Sequence, residues 1–184
     1  MKKTICALFV SCAASASADV VVPMHLVNEK GLGEKIGQII LTETSSGVQL
    51  TPDLTGLPSG ERGFHLHENG SCEAAEKDGK MTPAAAAGNH YDPDHSKKHG
   101  GPWGDGHAGD LPALNVSING TATQTLVAKR LELKDFYEKA LVIHAGGDNY
   151  SDYPEPLGGG GARVACGVVS KPDPQAEEAE TPLP

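Results

Sequence analysis

The chain has 184 residues, of which 38% are hydrophobic and 21% are charged, and its 24 acidic and 15 basic side chains give a formal net charge of −9. This length suits one domain with some residues left over for tails. An acidic chain has little attraction for a polyanion, so the composition argues against nucleic acid as a partner.

The first eighteen residues have the features of a secretory signal peptide. Two lysines precede a short apolar run over residues 5–10, and small residues lead up to Ala18. The apolar run is too short to cross a bilayer as a helix of the mature protein. We therefore expect residues 1–18 to be removed after export, which leaves 13 basic and 24 acidic side chains and a net charge of −11.

The cysteines agree with export. Removal of the signal peptide also removes Cys6 and Cys12, so that Cys72 and Cys166 remain. Two thiols in an exported protein suggest one disulfide, the alternative being two unrelated buried thiols.

A lipid-attachment site is the competing interpretation of the N-terminal segment. In that case Cys12 would become the anchored first residue, and the protein would be held at a membrane. We favour cleavage after Ala18, because Phe9 is a poor fit three residues before that cysteine.

Beyond the signal peptide the sequence predicts an all-β fold. Short apolar segments are separated by turns that glycine and proline mark, a pattern typical of sandwiches and barrels. Residues 131–138 fit neither period well and could form a short helical turn. The predicted strands are residues 20–27, 35–44, 48–54, 62–68, 113–118, 121–128, 140–144 and 163–169. Eight such strands favour an eight-stranded Greek-key β-sandwich or barrel.

One domain, over residues 19–170, accounts for these strands. Phe64, Leu66, Leu141 and Ile143 are its predicted core residues. Residues 171–184 are rich in proline and acidic side chains and have almost nothing to bury, so we expect a disordered tail.

Two long connections interrupt the strand pattern, at residues 70–112 and 145–162. Unstructured connections of that length are uncommon in a compact domain unless function or a covalent link constrains them. The first connection contains Cys72 and several potential metal ligands, and the second is rich in glycine. We therefore expect two long functional loops.

Histidines with metal-ligand spacing occur in and beside these loops. His65 and His67 alternate with apolar residues, so in a strand both imidazoles would lie on one side. Three histidines and an aspartate in the first loop suit a closed tetrahedral zinc site, namely His90, His99, His107 and Asp110. His65, His67 and the distant His144 would supply a second, all-imidazole set, which Cu(II) prefers. Because an imidazole has two nitrogens, His90 is the candidate bridge between the ions.

These residues carry a resemblance to the copper-zinc superoxide dismutases, in particular the exported, periplasmic bacterial type. The resemblance extends over nearly all of residues 20–169, and its segments occur in the family's order. The matching segments are residues 63–68 (GFHLHE), 87–93 (AGNHYDP), 98–102 (KHGGP), 106–111 (GHAGDL), 142–148 (VIHAGGD) and 161–167 (GARVACG).

The resemblance implies a Greek-key sandwich, a periplasmic location and dismutation of superoxide to dioxygen and hydrogen peroxide, by alternate reduction and reoxidation of copper. It implies copper at His65, His67, His90 and His144, and zinc at His90, His99, His107 and Asp110. Asp148 would accept hydrogen bonds from a ligand of each ion. Arg163 would orient superoxide and His90 would supply a proton, while Cys72 and Cys166 would form the disulfide. Monomers and dimers both occur among similar bacterial proteins, so a homodimer stays open.

Substrate guidance departs from the eukaryotic pattern, because residues 145–162 contain no lysine. Our hypothesis is that the guiding cations are Arg163 together with Lys77, Lys80, Lys97 or Lys98. Two other functions compete with catalysis: a metal-buffering protein, and an interaction protein that keeps the fold. Arg163 argues against both, because neither needs a cation beside the copper.

Overall fold

The computed structural model describes residues 19–172, so the predicted signal peptide and the tail from Asp173 onward lie outside the described residues. The strands are β1 (Val20–Asn28), β2 (Gly31–Thr44), β3 (Gly47–Leu54), β4 (Gly60–Arg62), β5 (Phe64–His67), β6 (Ala75–Lys77), β7 (Lys80–Thr82), β8 (Leu114–Val116), β9 (Leu126–Ala128), β10 (Lys139–His144) and β11 (Arg163–Val169). One helical turn, α1 (Leu133–Phe136), and two 3-10 turns, Ala85–Ala87 and Pro156–Gly159, complete the elements.

Seven strands form one curled antiparallel sheet in the order β5-β10-β11-β1-β2-β3-β9. Strand β8 pairs with β4, and β4 continues into β5 after a break at Gly63. The pairs β1 with β11 and β5 with β10 join strands that are distant in sequence, as a Greek key requires. The all-β, Greek-key prediction is confirmed, with β4 and β5 as one interrupted strand of the eight.

The strand predictions differ from the structure in several places. Strand β2 already begins at Gly31 and not at residue 35. The predicted strand 62–68 is broken at Gly63, and only the last three residues of the predicted strand 121–128 form β9. The long first loop contains a hairpin, β6 and β7, that its sequence pattern did not predict. Residues 133–136 of the ambiguous segment form α1.

The core lies inside the curled sheet. Phe64 and Leu66 of β5 and Leu141 and Ile143 of β10 are fully buried in one apolar cluster, as predicted. The alternate residues of β10, such as Val142, face the opposite side of the sheet. There they pack in a second cluster, against Ala84 and other small residues of the first loop. The first loop is therefore folded over the outside of β10 and β11.

A disulfide fastens this loop to the sheet. Cys72 lies early in the loop and Cys166 lies in β11, and their Cα atoms are 5.7 Å apart across a sequence separation of 94 residues. Both side chains belong to the second apolar cluster. The predicted pairing is confirmed.

Within residues 19–172, no helix has the length and apolar character that crossing a membrane would take.

We expect the double variant Cys72→Ser/Cys166→Ser to lose about 4 kcal/mol of unfolding free energy in the metal-free protein. The cross-link closes a long loop and so restricts the unfolded chain. Urea unfolding followed by circular dichroism measures the change, and reduced wild-type protein should match the variant. An unchanged unfolding midpoint would show that the disulfide contributes nothing to stability.

Candidate metal centre

Strand β5 provides two of the histidines of the site, His65 and His67. Its alternation directs Phe64 and Leu66 into the core, which leaves the imidazoles of His65 and His67 together on the other face. Both imidazoles are nonetheless buried, with relative exposures of 0% and 1%. They are buried because the two long loops cover that face.

Backbone hydrogen bonds fix the first loop against β5. The amide of Leu66 donates to Gly109 O at 2.9 Å, and Leu66 O accepts from the amide of Tyr91 at 2.8 Å. These contacts align His67 with His90 and His65 with Asp110 in isolated β-bridges. A Cβ at Gly109 would lie 2.3 Å from Leu66 O, so the approach of the two chains depends on glycine there.

One cluster consists of four buried imidazoles, His65, His67, His90 and His144, which could each offer a nitrogen to one ion. His67 and His144 hold their Nδ1 atoms near Gly88 O (3.0 Å) and Gly161 O (3.1 Å). A carbonyl accepts only from N–H, so both Nδ1 atoms carry the proton and both Nε2 atoms present a lone pair.

Three other nitrogens of this cluster lack partners. His65 Nδ1, His67 Nε2 and His144 Nε2 are buried and have no hydrogen-bond partner among residues 19–172. An unpaired buried polar atom is costly, and three that face one another need a common partner. A metal ion that accepts neutral imidazole nitrogens fits this arrangement.

The second cluster consists of His90, His99, His107 and Asp110. The Oδ1 atom of Asp110 lies 2.9 Å from Nδ1 of His90, 2.9 Å from Nδ1 of His99 and 3.2 Å from Nδ1 of His107. The contact with His99 does not have hydrogen-bond geometry, and its Nδ1 has no hydrogen-bond partner. Three imidazole nitrogens and one carboxylate oxygen form a donor set typical of tetrahedral zinc.

His90 belongs to both clusters. Its Nδ1 points to Asp110, and its ring stacks on that of His65 with centroids 4.0 Å apart. The two clusters are therefore built around one shared side chain.

Asp148 joins the clusters a second time. Its Oδ2 atom is 2.7 Å from Nε2 of His65, and its Oδ1 atom is 2.7 Å from Nε2 of His99. An ionised carboxylate only accepts, so both Nε2 atoms carry the proton and both Nδ1 atoms face their clusters. Oδ1 also accepts from the amide of Tyr150 at 2.8 Å.

The glycine-rich end of the second loop lies against these side chains. A Cβ at Gly158 would lie 2.0 Å from Oδ1 of Asp148, and Gly158 has a φ of +72°. Gly160 packs against the ring of His144, where a Cβ would lie 3.2 Å from ring carbon Cγ. The run of glycines thus lets the backbone close directly over both clusters.

Burial and charge set the protonation of the imidazoles. Burial lowers the pKa of His65 and His67 well below the usual value, and it lowers the pKa of His144 to about 4. These three imidazoles are therefore neutral at neutral pH, which is the form that binds metal.

In the second cluster, nearby charged and polar groups outweigh the effect of burial on the pKa of Asp110 and of His99. Burial by itself would raise the pKa of Asp110, but His90, His99 and the amide of Gly100 hold it well below its usual range. Burial also acts to lower the pKa of His99, yet the carboxylates of Asp110 and Asp148 outweigh it and raise that pKa to about 9. Zinc binding here competes with a proton.

A model of the copper/zinc superoxide dismutase family matches residues 35–169. The chain belongs to this family. It is 52% identical, over 166 residues, to the superoxide dismutase [Cu-Zn] of Escherichia coli strain K12, a match that covers 90% of this chain and 95% of the relative.

Solved structures of the same family are also similar to this chain. The copper/zinc superoxide dismutase from Brucella abortus superposes with a TM-score of 0.82 at 47% identity, and the match covers 83% of this chain and all of that one. The monomeric copper, zinc superoxide dismutase from Salmonella enterica gives a TM-score of 0.75 at 52% identity, with the same coverage. The cofactors of this superoxide dismutase are copper and zinc, and the two clusters have the capacity to hold them.

A pocket of about 260 Å³ leads to the all-imidazole cluster of this superoxide dismutase. His67, His90 and His144 form its floor, and Arg163 and Lys77 lie in its wall. Strand pairing explains the place of Arg163, since it lies opposite His144 in the register of β10 and β11. Its guanidinium is half-buried and donates to Ala84 O and, at 2.6 Å, to Gly88 O.

The four lysines proposed to guide the substrate differ in their positions relative to this pocket. Lys77 lies in the pocket wall, at the end of the hairpin that the sequence pattern did not predict. Lys98 instead pairs with Asp105 at 2.7 Å, and both side chains are exposed. Lys80 and Lys97 are exposed and are not among the residues that line this pocket.

Two supporting residues were not predicted. The guanidinium of Arg130 donates to Gly106 O at 2.7 Å and to His107 O at 3.1 Å, and so fixes the loop beside a ligand of the second cluster. Asp152 accepts from the amide of His99 at 2.8 Å. Neither belongs to a spacing pattern, because both act on backbone groups, so a single sequence carries no signal for them.

Proposed function

We propose that this superoxide dismutase holds copper through His65, His67, His90 and His144, and zinc through His90, His99, His107 and Asp110. The observation that carries the assignment is the set of unpartnered nitrogens of His65, His67 and His144, which face one another in the buried cluster. The mixed nitrogen and oxygen donors of the second cluster suit zinc and not copper.

The reaction converts two superoxide anions and two protons into dioxygen and hydrogen peroxide. Copper, when bound, supplies the chemistry that no side chain has, since it accepts an electron from one superoxide and returns it to the next. The side chains bind the anion, orient it, and deliver protons.

Arg163 binds and orients the substrate. Its guanidinium is fixed by the carbonyls of Ala84 and Gly88, so it presents a charge of constant position to the pocket beside His67 and His144. A cation already in place loses little entropy when an anion arrives, and it strengthens binding where water is scarce.

His90 handles one proton. It lines the pocket, and its Nδ1 is committed to the second cluster near Asp110. Its Nε2 atom is thus the one free to take up a proton and to give it to the reduced substrate, while water supplies the other proton. Asp148 holds the rings of His65 and His99 in the required tautomers.

We expect His144→Ala to lower superoxide consumption by the copper- and zinc-loaded protein by at least about 100-fold, because the variant removes a ligand of the copper cluster only. Pulse radiolysis measures the rate, and metal analysis should show zinc retained and copper reduced. His95→Asn is the matched control, since His95 is exposed, lies in the first loop and is outside both clusters. Equal rates for the two variants would exclude the assignment.

We further propose that Lys77 guides superoxide towards Arg163. Both line one pocket, whereas Lys98 is paired with Asp105. Opposite charges attract over about 8 Å at physiological ionic strength, so a cation in the pocket wall acts where a distant one does not.

For Lys77→Gln we expect a rate about 2- to 5-fold lower at low ionic strength and a flatter decline of the rate with added salt. Lys97→Gln, which removes the same charge from an exposed position outside the pocket, should behave as wild type. Both rates are measured by pulse radiolysis across a salt series. Identical salt curves for Lys77→Gln and wild type would rule out guidance by this residue.

We infer that the protein is exported to the periplasm by cleavage after Ala18, as a domain of residues 19–170 followed by an acidic tail. The charged and apolar pattern of residues 1–18 supports export, and so does the disulfide between Cys72 and Cys166, because such bonds persist in oxidising compartments.

Fractionation of bacteria that express the full chain should release the protein with the periplasmic contents, and its mass should correspond to a chain that starts at Asp19. The variant Cys12→Ser should be released equally, because Cys12 is removed with the signal peptide. Wild-type protein that stays with the membrane, and a Cys12→Ser variant that does not, would establish the lipid anchor instead.

A further inference from the structure

Asp152 connects two parts of the site through the two oxygens of its carboxylate. Its Oδ2 atom accepts from the amide of His99 at 2.8 Å, and its Oδ1 atom accepts from the amide of Leu157 at 3.0 Å. His99 belongs to the zinc cluster, whereas Leu157 lines the pocket above the copper cluster. One carboxylate oxygen therefore contacts a residue of the zinc cluster, and the other contacts a residue that lines the copper pocket.

The contact with His99 acts on the backbone of a ligand. The ring of His99 is already fixed by Asp148 at Nε2, and its Nδ1 faces the zinc cluster. The bond from its amide to Asp152 adds a second attachment to the same loop, residues 145–162. A ligand held at both its ring and its backbone keeps the direction of its nitrogen.

The contact with Leu157 holds a strained turn. Leu157 has a φ of +54° and is followed by Gly158 with a φ of +72°. A leucine in the left-handed region is unfavourable and persists only where its surroundings fix it. Asp152 fixes the amide of Leu157, and Ser151 O accepts from the amide of Gly158 at 2.9 Å.

The geometry points to Asp152 as a positioning residue that couples the zinc cluster to the wall of the copper pocket. When zinc orders His99, the amide of His99 orders the carboxylate of Asp152, which in turn holds Leu157 over the pocket. An ionised carboxylate suits this role, because bonds from N–H to a charged acceptor are short and strong. The inference rests on the metal assignment proposed above.

The test compares Asp152→Asn with Asp105→Asn. Both remove one negative charge from an exposed position, but Asp105 pairs only with Lys98 and reaches neither His99 nor Leu157. In Asp152→Asn the amide group must direct its NH₂ at one of two N–H donors, so one of the contacts is lost.

We expect zinc affinity, measured by competition with a chromophoric chelator, to be about 10-fold weaker in Asp152→Asn and unchanged in Asp105→Asn. The second measurement is the rate at which a copper chelator strips copper from the loaded protein, without zinc and at saturating zinc. Zinc should slow this loss clearly in wild type and Asp105→Asn, and much less in Asp152→Asn.

Three results would count against the coupling. Zinc affinity equal to that of Asp105→Asn would show that Asp152 does not support His99. Weaker zinc binding with full protection of copper at saturating zinc would make Asp152 a local support of His99 alone. Wild-type protein that binds neither ion in its cluster would instead overturn the metal assignment, and is recognised without any variant.

Discussion

The hydrogen bonds that Asp148 accepts from His65 and His99 are the interaction on which the rest of the site depends. They join a residue of the all-imidazole cluster to a residue of the cluster that contains Asp110, through one buried carboxylate. They also fix which nitrogen of each ring carries the proton, so that the other nitrogen faces its cluster. The glycine at position 158 is a consequence, because a side chain there would occupy the space of the carboxylate. Without Asp148 the two clusters would still share His90, but the rings would be free to turn.

The barrel supplies rigidity and the loops supply most of the ligands. Alternation along β5 divides one short strand between core and site, with Phe64 packed inside and His65 outside. The first loop would have no reason to order on this surface without help, since much of it buries only small side chains such as Ala84. Three kinds of constraint hold it there: a disulfide to β11, backbone pairing with β5, and the guanidinium of Arg130. Metal bound by the ligands in this loop would add a further constraint.

The sequence predicted what depends on side-chain type and spacing, and failed where backbone groups decide. The eight-strand pattern and the core of β5 and β10 followed from apolar alternation, and the ligand sets followed from imidazoles at metal-binding spacing. The hairpin of β6 and β7 was missed although its two-residue turn, Asp78-Gly79, is a local hairpin signal. The break at Gly63 was not predicted, because it depends on which distant backbone lies alongside. The roles of Arg130 and Asp152 were not predicted for the same reason, because each binds the main chain of a residue that is remote in sequence. The bridging role proposed for His90 could be inferred from the number of imidazoles. The proposed coupling of the clusters to the pocket wall through Asp152 could not.

The sign of the net charge is a poor guide to the substrate of this protein. A chain with 24 acidic and 15 basic side chains repels anions at long range, yet superoxide is an anion. Solvent ions screen distant charges beyond roughly 8 Å at physiological ionic strength, so a small ion responds mainly to the groups at the mouth of the pocket. There the charge is positive, because Arg163 and Lys77 line the pocket and its acidic neighbours are turned elsewhere: Asp148 towards two imidazoles, Asp110 into the zinc cluster. The same buried carboxylates that organise the metal ligands are thus prevented from opposing the substrate, which is how an acidic protein can present a cationic entrance.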